Sequence, residues 1–196
     1  MGFLAIIQPD EIEACLAEIV AKNYSTEERS VLEIEIDPVH DELETFALAL
    51  NEVSVARENT TSMITIHTQV NGAYLNVYWA DGLVVATPTG STGYSLSSGG
   101  PIISPESKSL VLTPIAPHNL NARPLVVADD VEIEINVEGR GNSHLLSLDA
   151  RLFSIPMDTR IRIKKASCPI VFIRPNNHSF FDTLRNKLLW GQDKRN

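Results

Sequence analysis

From Val31 onward, apolar and polar residues alternate along much of the chain with a period of two. Leu32, Ile34 and Ile36 are spaced by Glu33 and Glu35, and Val131, Ile133, Ile135 and Val137 by Glu132, Glu134 and Asn136. This is the pattern of strands that bury one face and wet the other, so the glutamates belong to solvated faces and not to catalytic pairs. Ile64, Ile66 and Val70 are predicted on one face of a strand and Leu75, Val77 and Trp79 on one face of the next, with Asn71-Gly72 as a type I′ turn between them. Further strands are predicted over 110–113, 125–127, 145–148, 160–164 and 170–173, separated by Pro, Gly and Asn turns. Helical spacing appears twice. Pro9-Asp10-Glu11 opens a helix whose Ile12, Leu16, Ile19 and Val20 form a stripe expected in the core, ending near Lys22-Asn23. Ser179-Phe180-Phe181-Asp182 predicts a capping box for a second helix, with Phe181, Leu184 and Leu188 facing inward and a frayed tail after Trp190. The fold class is therefore mainly β, α+β overall: a layered, β-sandwich-like domain over 1–196 with an N-terminal and a C-terminal helix.

One stretch, 80–101, breaks the alternation. An Asp81-Gly82 turn leads into the continuous apolar run Leu83-Val84-Val85-Ala86, then into Thr87-Pro88-Thr89-Gly90-Ser91-Thr92-Gly93, then into a short helical segment closed by Gly99-Gly100-Pro101. Glycines let a backbone come close to a ligand, and Thr89, Ser91 and Thr92 are expected to offer hydroxyls and N–H groups at the start of a helix. Such a loop suits a ligand with many oxygens. It is not a P-loop, because no Lys follows the last glycine, and its glycines are not spaced as G-x-G-x-x-G. Asn51-Glu52, after the apolar run 46–50, reads as the end of a strand, where an Asn amide can both donate to and accept from the edge of an adenine.

Composition narrows the partners. With 196 residues and 43% hydrophobic content the chain can bury a substantial core, and its net charge of −9 argues against nucleic acid or an anionic membrane. Anionic nucleotides remain compatible, because a local loop binds phosphate against the global sign. Cys15 and Cys168 lack metal-ligand spacing and are expected to be free, buried thiols in a reducing compartment. The opening Met1 to Ile7 run is too short for a secretory signal, and Ile6 stands where a myristoylation motif needs Ser or Thr, so a soluble cytoplasmic protein is expected. His40, His67, His118, His144 and His178 form no spaced ligand set, no metal site is expected, and His118 in Pro117-His118-Asn119 reads as part of a turn.

Asp81-Gly82, the segment from Thr87 to Ser97, and Gly99-Gly100-Pro101-Ile102 together resemble a signature of the bacterial NAD kinases. Leu50-Asn51-Glu52-Val53 is similar to the Asn-Glu motif of that family, and the segment from Pro117 to Leu125 to a later one. The resemblance implies that Asn51 and Glu52 contact the adenosine and ribose of NAD. It implies that Thr89, Thr92, Gly93, Tyr94, Ser95, Leu96 and Ser97 belong to the dinucleotide-binding segment, with Gly93 in place of a common alanine. Asp81 either bonds its own turn or, as in the family, meets the nicotinamide-side ribose across a subunit contact; the resemblance favours the second. Ser62, Trp79, Ala116 and Arg151 fall at NAD-contacting positions, Trp79 replacing a frequent basic residue and Arg151 a frequent Gln. Homodimers or homotetramers with shared sites are implied.

The activity implied is transfer of the γ-phosphoryl group of ATP to the 2′-hydroxyl of the adenosine ribose of NAD, giving NADP, with Mg²⁺ or another divalent metal; the sequence leaves ATP and polyphosphate open as donors. The family's base is the Asp of a Gly-Gly-Asp-Gly segment, and no Gly-Gly-Asp-Gly occurs in this sequence. No catalytic residue is therefore assigned. The expectation is a NAD kinase C-terminal portion whose residues 1–25 and 178–196 pack against a missing N-terminal α/β domain, and which binds NAD but does not phosphorylate it alone. The rival reading is a noncatalytic dinucleotide-binding or assembly module. A lipid or sugar kinase fits less well, because Asn51-Glu52 and Tyr94 suit a nucleoside.

Overall fold

The structure is a computed structural model and describes residues 7–39, 47–58, 62–175 and 179–188. His40, Phe46, His178 and Trp190 lie outside the described residues. The alternating segments pair into two six-stranded sheets. One runs β3 (Leu48–Ala49), β2 (Leu32–Asp37), β13 (Arg160–Lys165), β10 (Ile133–Glu138), β5 (Ile64–Val70) and β6 (Ala73–Ala80). The other runs β12 (Arg151–Pro156), β11 (Ser143–Leu148), β4 (Glu52–Arg57), β7 (Gly82–Ala86), β8 (Ser109–Ile115) and β9 (Leu125–Ala128). Strands β1 (Tyr24–Arg29) and β14 (Ile170–Pro175) form a separate ribbon, and the pairing is antiparallel in all three sheets.

The core lies between the two large sheets. Leu32, Ile34, Ile66, Ile133, Ile135, Ile161 and Ile163 from the first meet Val53, Val55, Leu83, Val85, Leu110, Leu112, Leu146 and Leu148 from the second. The layered, mainly β fold expected from the alternation is what forms. Strand β7 is buried at all five positions, because Val84 and Ala86, on its other face, pack with Val111 and Ile103 beneath the segment that follows it. A run apolar at every residue is the signature of a strand covered on both sides. The glutamate faces are wet, as expected: Glu35 pairs with Arg162 at 3.2 Å and with Lys164, and Glu134 with Arg160 at 3.6 Å.

Several expectations need correction. Asn71 and Gly72 do take the positive φ values, 51° and 75°, of a type I′ turn, but the inward residues of β6 are Tyr78 and Ala80 and not Val77 and Trp79. A register shift between Thr68 and Gln69 explains this: Thr68 pairs with Asn76 and Gln69 with Tyr74, so Leu75 is the extra residue, and the face it shares with the core passes to even-numbered positions beyond it. Trp79 is half exposed. Helix α1 (Ile12–Val20) follows a 3-10 turn over Pro9–Glu11, and its stripe is not core, since Ile12, Leu16 and Val20 are exposed. In the last helix the Asp182 N–H donates to Ser179 Oγ at 3.1 Å, as a cap should, yet Phe181 points outward at 62% exposure. Both cysteines are free, but Cys168 is exposed and Cys15 only half-buried.

His144 on β11 points to the core with Leu146 and Leu148. Both ring nitrogens are buried without a hydrogen-bond partner, and burial pushes its pKa down to about 4, with Glu58 acting weakly in the opposite direction. The unfolded chain therefore binds the proton first. His144 costs no stability above about pH 6.5 and progressively destabilises the fold as pH falls toward 4. A His144→Leu variant is expected to remove roughly 3 kcal/mol of acid sensitivity over that window, read as the difference between wild-type and variant denaturation midpoints at pH 7 and pH 4.

Candidate functional site

The site is built on a break between β3 and β4. Asp149, held at φ 52° in the turn between β11 and β12, accepts hydrogen bonds from the N–H groups of Leu50 at 2.9 Å, Asn51 at 2.7 Å and Glu52 at 3.2 Å, and its own N–H donates to the Glu52 carbonyl at 2.9 Å. Arg151 adds a hydrogen bond to the Leu48 carbonyl. Asn51-Glu52 thus opens β4 and does not close the strand before it, correcting the reading from sequence. A carboxylate collecting three backbone donors ends one strand and starts the next.

The glycine-and-hydroxyl loop seats on this break. Thr87 donates its N–H to the Asn51 carbonyl at 2.9 Å and its hydroxyl to the Leu50 carbonyl at 2.7 Å. Gly90 then presses on Asn51: a Cβ there would lie 2.0 Å from the Asn51 carbonyl oxygen. Ser91 is fully buried; its hydroxyl donates to the Pro88 carbonyl at 2.6 Å and accepts from the Ile103 N–H at 2.9 Å. The Thr92 hydroxyl donates to the Thr89 carbonyl at 3.1 Å. The hydroxyls of Ser91 and Thr92, expected to face a ligand, instead brace the loop. Beyond a 3-10 turn at Gly90–Thr92 comes the short helix α2 (Tyr94–Ser97), anchored by Ser95 Oγ and Thr113 Oγ1 at 2.8 Å, with Gly100 so close that a Cβ would sit 2.2 Å from Ser95 Oγ. Tyr94 stays exposed and Leu96 half-buried, while Ser97 lies at the surface.

Asn51-Glu52 and the Gly93-Tyr94 corner share one place. Glu52 Oε2 lies 3.2 Å from where a Gly93 Cβ would be, and it is buried with no hydrogen-bond partner. Burial first, and then the negative charge of Asp149, raise the Glu52 pKa to about 7. On the other side of the loop, Arg29 Nη1 donates to Thr89 Oγ1 at 3.1 Å. Sequence reasoning missed both Asp149 and Arg29. Asp149 follows the apolar run 145–148 and reads there as an ordinary turn residue; Arg29 lies 60 positions from Thr89, and no local pattern marks it.

The remaining candidates are elsewhere. Asp81, Ser62, Trp79 and Ala116 gather at the opposite end of β7, separated from the loop by the length of that strand, about 15 Å. Asp81 does not bond its own turn: Arg57 grips it with Nε at 2.9 Å and Nη2 at 3.0 Å, and its N–H donates to the Ile115 carbonyl at 3.0 Å. Ala116 turns at φ 43° and leads to His118, whose ring lies against Trp79 at 4.6 Å between centroids, tilted by 46°. The structure brings together Asn51, Glu52, Thr89, the 92–97 segment and Arg151, and leaves Ser62, Trp79, Asp81 and Ala116 as a second group.

Known proteins resemble the chain over most of its length. Residues 50–175 match the ATP-NAD kinase C-terminal domain. The chain is 54% identical over 196 residues to an NAD kinase of Christiangramia forsetii and 52% identical to one of Flavobacterium johnsoniae, in each case covering all of this chain and 67% of the relative. An NAD kinase from Archaeoglobus fulgidus in complex with ATP aligns at 30% identity with a TM-score of 0.80, over 96% of this chain and 70% of that one. The yeast NADH kinase complexed with NADH, at 24% identity and a TM-score of 0.87 over 98% of this chain and 57% of that one, shares the fold. The chain belongs to the NAD kinase family. It spans about two thirds of the length of the curated relatives it matches.

Two variants test how the site is held. Glu52 contributes stability that is present below about pH 4.5 and lost as pH rises through 7, because the native state resists its ionisation. Glu52→Gln is therefore expected to be more stable than wild type by about 2–3 kcal/mol at pH 8 and indistinguishable from it at pH 4, measured by urea denaturation. Gly90→Ala drives a methyl into the Asn51 backbone and is expected to cost about 3 kcal/mol or more in the same measurement.

Proposed function

We propose that the chain forms the NAD-holding part of an NAD kinase, which transfers the γ-phosphoryl group of ATP to the 2′-hydroxyl of the adenosine ribose of NAD. The observation that carries this reading is the Glu52 carboxyl, buried and without a partner beside Gly93, where a ribose hydroxyl would supply the missing donor. Asn51 and Glu52 grip the adenosine, the exposed Tyr94 ring covers it, and Gly93 leaves room for close approach. Ser95 holds the corner through Thr113, and Arg151 steadies the strand break from behind.

Phosphoryl transfer also needs a base for the 2′-hydroxyl proton and cations on the triphosphate. The base is assigned to a Gly-Gly-Asp-Gly segment, absent from these 196 residues, so this polypeptide binds without turning over. Among the described residues no three His, Cys, Asp or Glu side chains converge as a metal site; a divalent cation would neutralise charge on the triphosphate itself. The second group, with Asp81 fixed by Arg57, is assigned to the nicotinamide half of NAD bound at a neighbouring copy in a homodimer or homotetramer. Ser62, Trp79 and Ala116 go with it. Among the described residues no helix is long and apolar enough to cross a membrane, and a cytoplasmic location is proposed with the activity.

The alternative, an assembly module, draws on the exposed Ile12, Leu16 and Val20 of α1 and Ile170, Val171 and Ile173 of β14. The α1 face is equally suited to the proposed contact of residues 1–25 with an N-terminal α/β domain. Calorimetry decides. NAD is expected to bind the wild-type chain, more tightly at pH 8 than at pH 6 as Glu52 ionises, and Glu52→Ala to weaken binding at pH 8 about tenfold or more. No binding at millimolar NAD would favour the assembly role. NADP formation by the chain alone, in a coupled assay with ATP, would instead mean that one of its own residues acts as the base.

A further inference from the structure

We propose that Arg29 is a phosphate-binding residue of the same site, its guanidinium supplying positive charge to nucleotide phosphate oxygens on the Thr89 side of the loop; the inference rests on the reading of the site as a nucleotide cradle. Arg29 is the last residue of β1, a strand that belongs to neither large sheet and pairs with β14 alone. Its side chain is 13% exposed, with the guanidinium carbon 5.4 Å from the Phe172 ring centre. A guanidinium has five N–H donors, and buried ones seek acceptors. Here one of them, on Nη1, is taken by Thr89 Oγ1, whereas Nε is buried and misaligned for hydrogen bonding to Glu27 Oε1, 3.3 Å away.

Another arginine of the same chain looks different. Arg57 meets Asp81 through two well-placed nitrogens, Nε at 2.9 Å and Nη2 at 3.0 Å. Glu27, by contrast, faces two cations, Arg29 at 3.3 Å and Arg174 at 3.7 Å. One carboxylate is thus shared between two guanidiniums. The Thr89 hydroxyl accepts from Arg29, and its own proton goes to no described partner. Arg29 and Thr89 thus present spare donors side by side, the arrangement that recognises phosphate.

The phosphate has two sources, the pyrophosphate of the dinucleotide or the triphosphate of the donor. Calorimetry on the full chain separates them, using NAD, ATP and adenosine against wild type, Arg29→Lys and Arg29→Met. Arg29→Met is expected to weaken NAD, ATP or both by about tenfold or more while adenosine changes less than twofold. Arg29→Lys, which keeps the charge and loses the fork, should fall between and serves as the readout if the methionine variant does not fold. Loss confined to NAD assigns the dinucleotide pyrophosphate; loss confined to ATP assigns the donor. An equal loss for adenosine and the phosphorylated ligands, or no loss, overturns the inference and leaves the cradle standing. A wild-type chain that binds none of the three overturns the cradle itself.

Discussion

Three backbone N–H groups converge on the Asp149 carboxylate, and the site depends on that contact. It bends the chain between β3 and β4, which turns the Asn51 carbonyl outward to receive Thr87 and leaves the shallow seat that Gly90 occupies. The same charge reaches Glu52 and helps hold its proton to near neutral pH, although burial is the larger cause. One half-buried carboxylate therefore does two things at once: it satisfies donors that a strand break would orphan, and it discourages ionisation of its neighbour.

Strand β7 converts this local arrangement into a fixed distance. Because it is covered on both faces, it cannot slide or bend without opening two sets of apolar contacts, Leu83 and Val85 on one side and Val84 and Ala86 on the other. At one end stand Glu52 and the loop, at the other the Arg57–Asp81 pair. Rigidity between two groups of polar side chains is what a ligand with two separated ends requires, whether both ends are read by one copy or by two.

Most of the fold was legible because alternation in a sheet reports burial directly. Leu32 and Ile34, Ile133 and Ile135, and the Asn71-Gly72 turn all stand where their pattern puts them. The failures have specific causes. A single extra residue at Leu75 reverses the parity of β6, and a bulge leaves no mark on composition. The stripe on α1 has the right period for burial, but period tells only that a face is apolar and not what covers it. In the site, Asn51, Glu52 and the loop could be read because their signals are contiguous, whereas Asp149 and Arg29 act across 98 and 60 positions of sequence and acquire meaning only from the sheet register.

The hydroxyls of the loop carry a more general lesson. Threonine and serine beside glycine invite the thought that each hydroxyl meets the ligand, yet Thr87, Ser91, Thr92 and Ser95 all bond within the protein. A loop this rich in glycine would lose much conformational entropy on ordering around a ligand, and internal hydrogen bonds incur that loss at folding instead. What the loop leaves unsatisfied is then a small set of groups already fixed in place: a buried carboxyl oxygen that lacks a donor and a nearly buried arginine with an unpaired Nε, beside one exposed aromatic ring. In the proposed cradle, recognition would rest on those few groups, and the many hydroxyls would act by holding them still.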